Sequence, residues 1–112
     1  MSNASQIPFA PTGDTIVIPS DSTAPTGVGT VAATGVGQYR VVNSGSVIVH
    51  LGYGSSASIA TANAVAAIAG TPSKSVPLVP GAVEVLRFSN NAFFSALSAS
   101  PVSVYVTPGQ GI

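Results

Sequence analysis

The sequence predicts an all-β protein: a single-domain β-sandwich, jelly-roll-like, with an extended N-terminal arm. Three observations carry that expectation. Short runs rich in Val, Ile, Tyr and Phe recur along the chain, several of them alternating with polar residues at a period of two. Pro-Gly pairs at 80–81 and 108–109 and an Asn-Ser-Gly triplet at 43–45 punctuate these runs. A chain of 112 residues is also the right length for one core that removes roughly two-thirds of its unfolded surface from water.

Residues 1–13 are apolar but aperiodic, with Pro8 and Pro11 bracketing Phe9 and Ala10. Proline withholds a ladder donor and favours extended backbone. The chain therefore divides into an arm, residues 1–14, and a sandwich, residues 15–112. Ordering an arm costs about 1–2 kcal/mol per residue in backbone entropy. Burying Ile7 and Phe9 returns only about 1.5–3 kcal/mol each, and the two prolines lower the cost by restricting the free chain. The remainder is expected from backbone pairing with a strand edge of a neighbouring subunit. Ile7, Pro8, Phe9 and Pro11 are accordingly the candidate assembly residues. Asn3-Ala4-Ser5 matches a glycosylation sequon, a pattern too common by chance to carry weight.

Residues 15–18 read as a short strand ended by Pro19, and residues 20–27 as a Ser/Thr/Pro-rich loop. Residues 28–33 form a weak strand loosened by Gly29. Here Gly27-Val28-Gly29-Thr30-Val31-Ala32 fits the spacing of a dinucleotide-binding loop. Such a loop needs a strand before it and a helix after it. A Pro-containing loop precedes and Gly35 and Gly37 follow, so no nucleotide cofactor is expected.

The stretch 39–51 organises the chain: two β-branched runs joined by Asn43-Ser44-Gly45. A three-residue hairpin loop places Tyr39, Val41, Val47, Val49 and Leu51 on one face, and Arg40, Ser46 and His50 on the other. A two-residue loop mixes polar and apolar groups on both faces. The register predicts Val41 opposite Val47, Tyr39 opposite Val49, and Gly45 left-handed.

Residues 52–56 then turn the chain. The alanine-rich segment 58–69 fits either a short helix, capped by Ser58 or Thr61 and stopped by Gly70 and Pro72, or an irregular excursion. Residues 76–79 are a strand fragment leading into Pro80-Gly81, a type II turn because glycine takes positive φ cheaply. Residues 82–88 continue as a strand ended by Asn90-Asn91, and residues 93–97 form another. Pro101 opens the last strand, with Val102, Val104 and Val106 on one face and Ser103, Tyr105 and Thr107 on the other. Pro108-Gly109 is expected to make a second type II turn.

Charge is the outlier of the composition. Asp14, Asp21, Arg40, Lys74, Glu84 and Arg87 amount to 5% of the chain, against about 25% in ordinary domains. A surface so poor in charge favours association. Two readings follow: a compositional habit of the source, or a surface covered by other subunits. Zero net charge with scattered basic residues gives no footprint for nucleic acid. Cysteine is absent, which excludes disulfides and thiolate metal sites and leaves the redox compartment open. No basic segment followed by an apolar run marks a signal peptide. The uncharged stretch 51–73 is broken by Gly52, Gly54, Ser55, Ser56, Asn63 and Gly70, unlike a membrane helix, so a soluble protein with no membrane partner is expected.

His50, the sole histidine, is the first candidate for acid–base chemistry. No nucleophile elbow or oxyanion signature accompanies any serine that would join it with Asp14 or Asp21 in a triad. One histidine and three carboxylates also make a poor metal-ligand set. Glu84 and Arg87 fall on opposite faces of one strand by parity. The expectation is no enzyme, with no catalytic, cofactor-binding or metal residues.

Three stretches occur in order: Tyr39-Arg40-Val41-Val42-Asn43-Ser44-Gly45, Pro80-Gly81-Ala82-Val83-Glu84-Val85-Leu86, and Val104-Tyr105-Val106-Thr107-Pro108-Gly109-Gln110-Gly111. Together they resemble small tailed-phage virion proteins of the decoration or cement type, which sit on the outside of icosahedral heads. The likeness spans residues 39–111, with 51–75 unmatched, and its motifs are mainly turn chemistry. The resemblance implies a jelly-roll-like fold and a structural, non-enzymatic role at the capsid surface of the virion. It further implies contacts with the major capsid protein and with other copies of the chain in a homo-oligomer. It brings no set of binding residues. The competing reading is a head fibre or glycan-binding sandwich, in which Tyr39, Tyr53 and Tyr105 would stack on sugar rings. An exposed row of tyrosines on one sheet favours that reading, whereas an apolar, charge-poor base with an arm favours cement.

Overall fold

The computed structural model describes residues 9–25, 27–29, 37–88 and 92–110. Among them are nine strands and one helix: β1 (Ala10–Pro11), β2 (Ile16–Ser20), β3 (Val28–Gly29), β4 (Gln38–Asn43), β5 (Val49–Gly54), α1 (Ala57–Asn63), β6 (Val76–Leu78), β7 (Val83–Arg87), β8 (Phe93–Ser98) and β9 (Val102–Gln110). They make an all-β sandwich of two antiparallel sheets. One runs β1-β9-β4-β7, with β2 also on β9, end to end with β1. The other runs β3-β8-β5-β6.

Alternation along each strand builds the core. Ile18, Tyr39, Val41, Val104 and Val106 enter it from the first sheet, and Val49, Leu51, Leu78, Phe94 and Ala96 from the second. At one end Tyr39 meets Phe94 edge-on at 5.1 Å, and Phe88 stacks on Tyr53 at 4.5 Å, geometries that aromatic quadrupoles favour. The Tyr39 hydroxyl takes the Ala92 N–H at 3.2 Å. Along one side, Ser20 and Ser98 share a buried hydroxyl bond of 2.7 Å, and Asp21 C=O accepts from Ser98 N–H, tying β2 to β8 across the sheets.

The hairpin expected across Asn43-Ser44-Gly45 does not form. β4 pairs with β7 and β9, whereas β5 pairs with β6 and β8, so residues 44–48 cross from one sheet to the other. Tyr39, Val41, Val49 and Leu51 are nonetheless fully buried. They line the core from opposite sheets instead of standing side by side, and Val47 is half-buried in the crossing. Side-chain parity is the same for strands paired edge to edge and strands packed face to face, so the apolar pattern sets faces but not partners.

Asn43 holds this crossing in place. Its fully buried amide donates to the carbonyls of Val47, Leu78 and Val79 at 3.0, 2.9 and 3.1 Å, and its Oδ1 accepts the Gly45 N–H at 3.0 Å. Its own N–H reaches Ala82 C=O and its C=O accepts from Gly81 N–H, each at 3.0 Å. Gly45 is not left-handed; among the described glycines Gly37, Gly70 and Gly81 are. What holds residue 45 to glycine is contact, since a Cβ there would come within 2.6 Å of Val102 Cγ1.

Pro80-Gly81 does make the expected turn, with Gly81 at φ 77° and Ala82 N–H on Val79 C=O at 3.0 Å. Pro108-Gly109 does not, because both residues belong to β9. Pro108 sits inside a central strand at no loss of a ladder bond. Its carbonyl accepts from Thr12 N–H, so its nitrogen faces the same side, where β2 has ended and β1 has not yet begun. Gly109 is required because the Phe9 ring lies over it: a Cβ would come within 2.7 Å of Phe9 Cε1. Pro19 falls within β2 rather than ending it, at a strand paired on one side by β9. Residues 30–33, expected to continue β3, lie outside the described residues.

The helix is shorter than the alanine-rich segment. Ser56 caps it, accepting the Ile59 N–H at 3.4 Å, and it ends at Asn63, well before Gly70. It lies on the outer face of the second sheet over Gly52 and Gly54, where a Cβ would come within 2.7 Å of Ala64 Cα and 2.8 Å of Ile59 Cβ respectively. Gly27, the first glycine of the fingerprint-like run, faces α1 as well, and its N–H donates to Thr61 Oγ1 at 3.0 Å.

Candidate assembly face

Residues opposite one another on antiparallel strands share a face, so the register reads out the outer surface of the five-stranded sheet row by row. Val17, Tyr105, Val42 and Val83 form one unbroken row across β2, β9, β4 and β7. Val17 is 49% exposed, Tyr105 39% and Val83 52%, and Val42 is half-buried between them. The adjacent row is Thr107, Arg40 and Val85, extended by a 2.7 Å bond between the Thr15 and Thr107 hydroxyls. Beyond it stand Gly109, Gln38 and Arg87, with Pro11 opposite Gly109.

Two of the four arm residues singled out from the sequence come to this face. Phe9 covers Gly109, and Pro11 pairs beside it, both at the corner where β1 joins β9. The backbone pairing seen for Ala10–Pro11 is with the chain's own β9. Ile7 and Pro8 lie outside the described residues.

The electrostatics of the face are one-sided. Arg40 and Arg87 occupy outward positions, whereas no carboxylate stands at an outward position of β2, β4, β7 or β9. Glu84 is opposite Val41, on the inward parity, and reaches solvent at the edge of the sheet, so it and Arg87 do point to opposite sides. The outward Val83 and Val85 are what sequence reasoning missed. Their alternation with Glu84 carries no sign of which side is core, and only pairing with β4 settles it.

The opposite sheet presents a different surface. Beside α1, Ile48, His50, Ala66, Pro80 and Leu97 line an open, largely apolar cleft of about 700 Å³. His50 Nδ1 accepts the Ala67 N–H at 3.3 Å, and neither Asp14 nor Asp21 lines the cleft. Among the described residues no group of three His, Asp or Glu side chains is placed to hold a metal ion. No described helix is long and apolar enough to cross a membrane. Of the tyrosines, Tyr39 is buried, Tyr53 is half-buried against Phe88, and Tyr105 is exposed.

No protein-family model, curated protein or solved structure matches this chain.

Proposed function

We propose that this chain is a structural virion protein, a capsid decoration or cement protein that binds the outer surface of a phage head and stabilises its lattice. The observation that carries the reading is the outer face of the five-stranded sheet. It is broad and has no carboxylate at an outward strand position, and a four-strand apolar row crosses it in register. A lone soluble domain keeps such a surface more charged, while a surface destined to be covered does not need to. The ordered Asn-x-Gly, Pro-Gly-Val-Glu and Thr-Pro-Gly stretches and the jelly-roll-like strand order β2-β9-β4-β7 over β3-β8-β5-β6 support the same reading.

The glycan-binding alternative needs exposed tyrosines side by side on one sheet. Tyr105 stands on the outer face, but Tyr39 points into the core and Tyr53 is stacked on Phe88, so the described tyrosines form no platform. The test is direct. Purified protein added to phage heads lacking it should bind to a fixed stoichiometry and raise the temperature at which the heads disrupt. Heads that bind none of it, or bind it without gaining stability, overturn the proposal.

A further inference from the structure

We infer that the outer face of the five-stranded sheet is the docking surface, and that its partner is a protein surface pairing an apolar ridge with carboxylates rather than a second copy of this chain. The inference rests on the capsid-binding reading and specifies which side of the sandwich makes the contact and what chemistry receives it.

Charge and area select the partner. By register, two of the chain's three basic residues stand at outward positions, Arg40 within the face and Arg87 at its β7 edge, where it also borders a groove with Tyr53 and Lys74; none of the three carboxylates stands at an outward strand position. A copy packed on a copy through this face would set arginines against arginines, the like-charge juxtaposition that specific interfaces avoid. Size points the same way. Four strands about 4.8 Å apart, with rises of about 3.3 Å per residue along β9, give a face of roughly 19 by 30 Å. A self-dimer through it would bury on the order of 1,100 Å² in total, just short of the ~1,200–2,000 Å² of stable pairs. One such contact suits a subunit that also gains from neighbours on a repeating surface, where further contacts multiply affinity.

Within the face, the apolar row would supply the contact area and Arg40 the orientation. Arg40 lies one row from Tyr105 and Val42, with Thr107 and Val85 directly opposite it. A guanidinium in that position meets a carboxylate in two parallel hydrogen bonds as the apolar groups around it exclude water. Two isolated arginines fall far short of a phosphate-binding footprint, so the acidic partner is protein rather than nucleic acid.

The test uses the full chain and heads stripped of it. Val83→Glu and Arg40→Glu should each weaken head binding about tenfold or more, with circular dichroism and thermal unfolding unchanged. Ile48→Glu, on the opposite sheet, should bind within about twofold of wild type, since like-charge repulsion acts only at the contact. Arg40→Gln should flatten the salt dependence of binding. If wild type binds and Ile48→Glu alone loses affinity, the face assignment is wrong while the capsid-binding reading stands. If wild type binds no heads, that reading fails first. A stable wild-type dimer in light scattering, dissociated by Val83→Glu, overturns the choice of partner.

Discussion

Replacing Asn43 with alanine tests the account of how the two sheets are joined. The substitution deletes one acceptor and two donors from a fully buried site and leaves a cavity smaller than most core truncations. The carbonyl of Leu78 is buried as well, so it loses its partner without access to water, a loss of about 1–3 kcal/mol. The carbonyls of Val47 and Val79 and the Gly45 N–H are partly exposed and can rehydrate, so together they add about 1–2 kcal/mol. The expected destabilisation is therefore about 2–5 kcal/mol, a large share of the ~5–15 kcal/mol available to a domain. At this size it lowers the melting temperature by roughly 8–25 °C. Equilibrium denaturation in urea measures it, and the slope with denaturant should stay constant, because the loss is local. Asn43→Asp keeps the acceptor for Gly45 but sets a carboxylate against three carbonyl oxygens, and should be no less damaging at neutral pH. A loss below about 1 kcal/mol for Asn43→Ala would refute the reasoning, since it is less than one ordinary hydrogen bond.

Gly45→Val should cost about 1–3 kcal/mol through overpacking against Val102. Because the cause is contact rather than backbone strain, Val102→Ala should recover part of the loss in a double-mutant cycle, and purely additive effects would contradict this. His50→Ala removes one exposed hydrogen bond to Ala67 N–H and should cost no more than about 1 kcal/mol. Head binding should persist in that variant, and a folded His50→Ala protein that no longer binds heads would move the docking surface to the cleft beside α1.

The sequence made strand faces legible and strand partners illegible, for one physical reason. Alternation at period two records which side of a strand is buried. It therefore placed Tyr39, Val41, Val49 and Leu51 in the core, and Val104 and Val106 opposite Tyr105. The same alternation is silent on whether two successive strands pair or face each other, and the hairpin failed at that point. Turn chemistry divided similarly. Pro80-Gly81 turned because its glycine is needed at positive φ, whereas Pro108-Gly109 stayed extended because proline fills a gap between β2 and β1 and glycine admits the Phe9 ring. A dipeptide gives the conformations open to it, and its neighbours choose among them. The outward apolar row was the least legible feature, because a row across four strands exists only once their registers are set.

The turn motifs of the three ordered stretches now have separable causes. Asn43-Ser44-Gly45 and Pro80-Gly81 are two ends of one fastening, joined through the Asn43 amide and backbone. Pro108-Gly109 forms the seat for Phe9 and the first residues of β1. Each motif thus satisfies a demand of the frame, and a frame can be shared by proteins with unrelated tasks. The task must be argued from positions the frame leaves free, and in the same stretches those are Arg40, Val42, Val83 and Tyr105, all turned outward on one sheet. None of the four is needed to fill the core. Three apolar residues and an arginine in these places, on a chain with six charges in all, are what a covered surface calls for. Phe9 and Pro11, at the corner of that sheet, lie on the same side of the molecule. Those two residues and the outward row thereby belong to one side of one sheet.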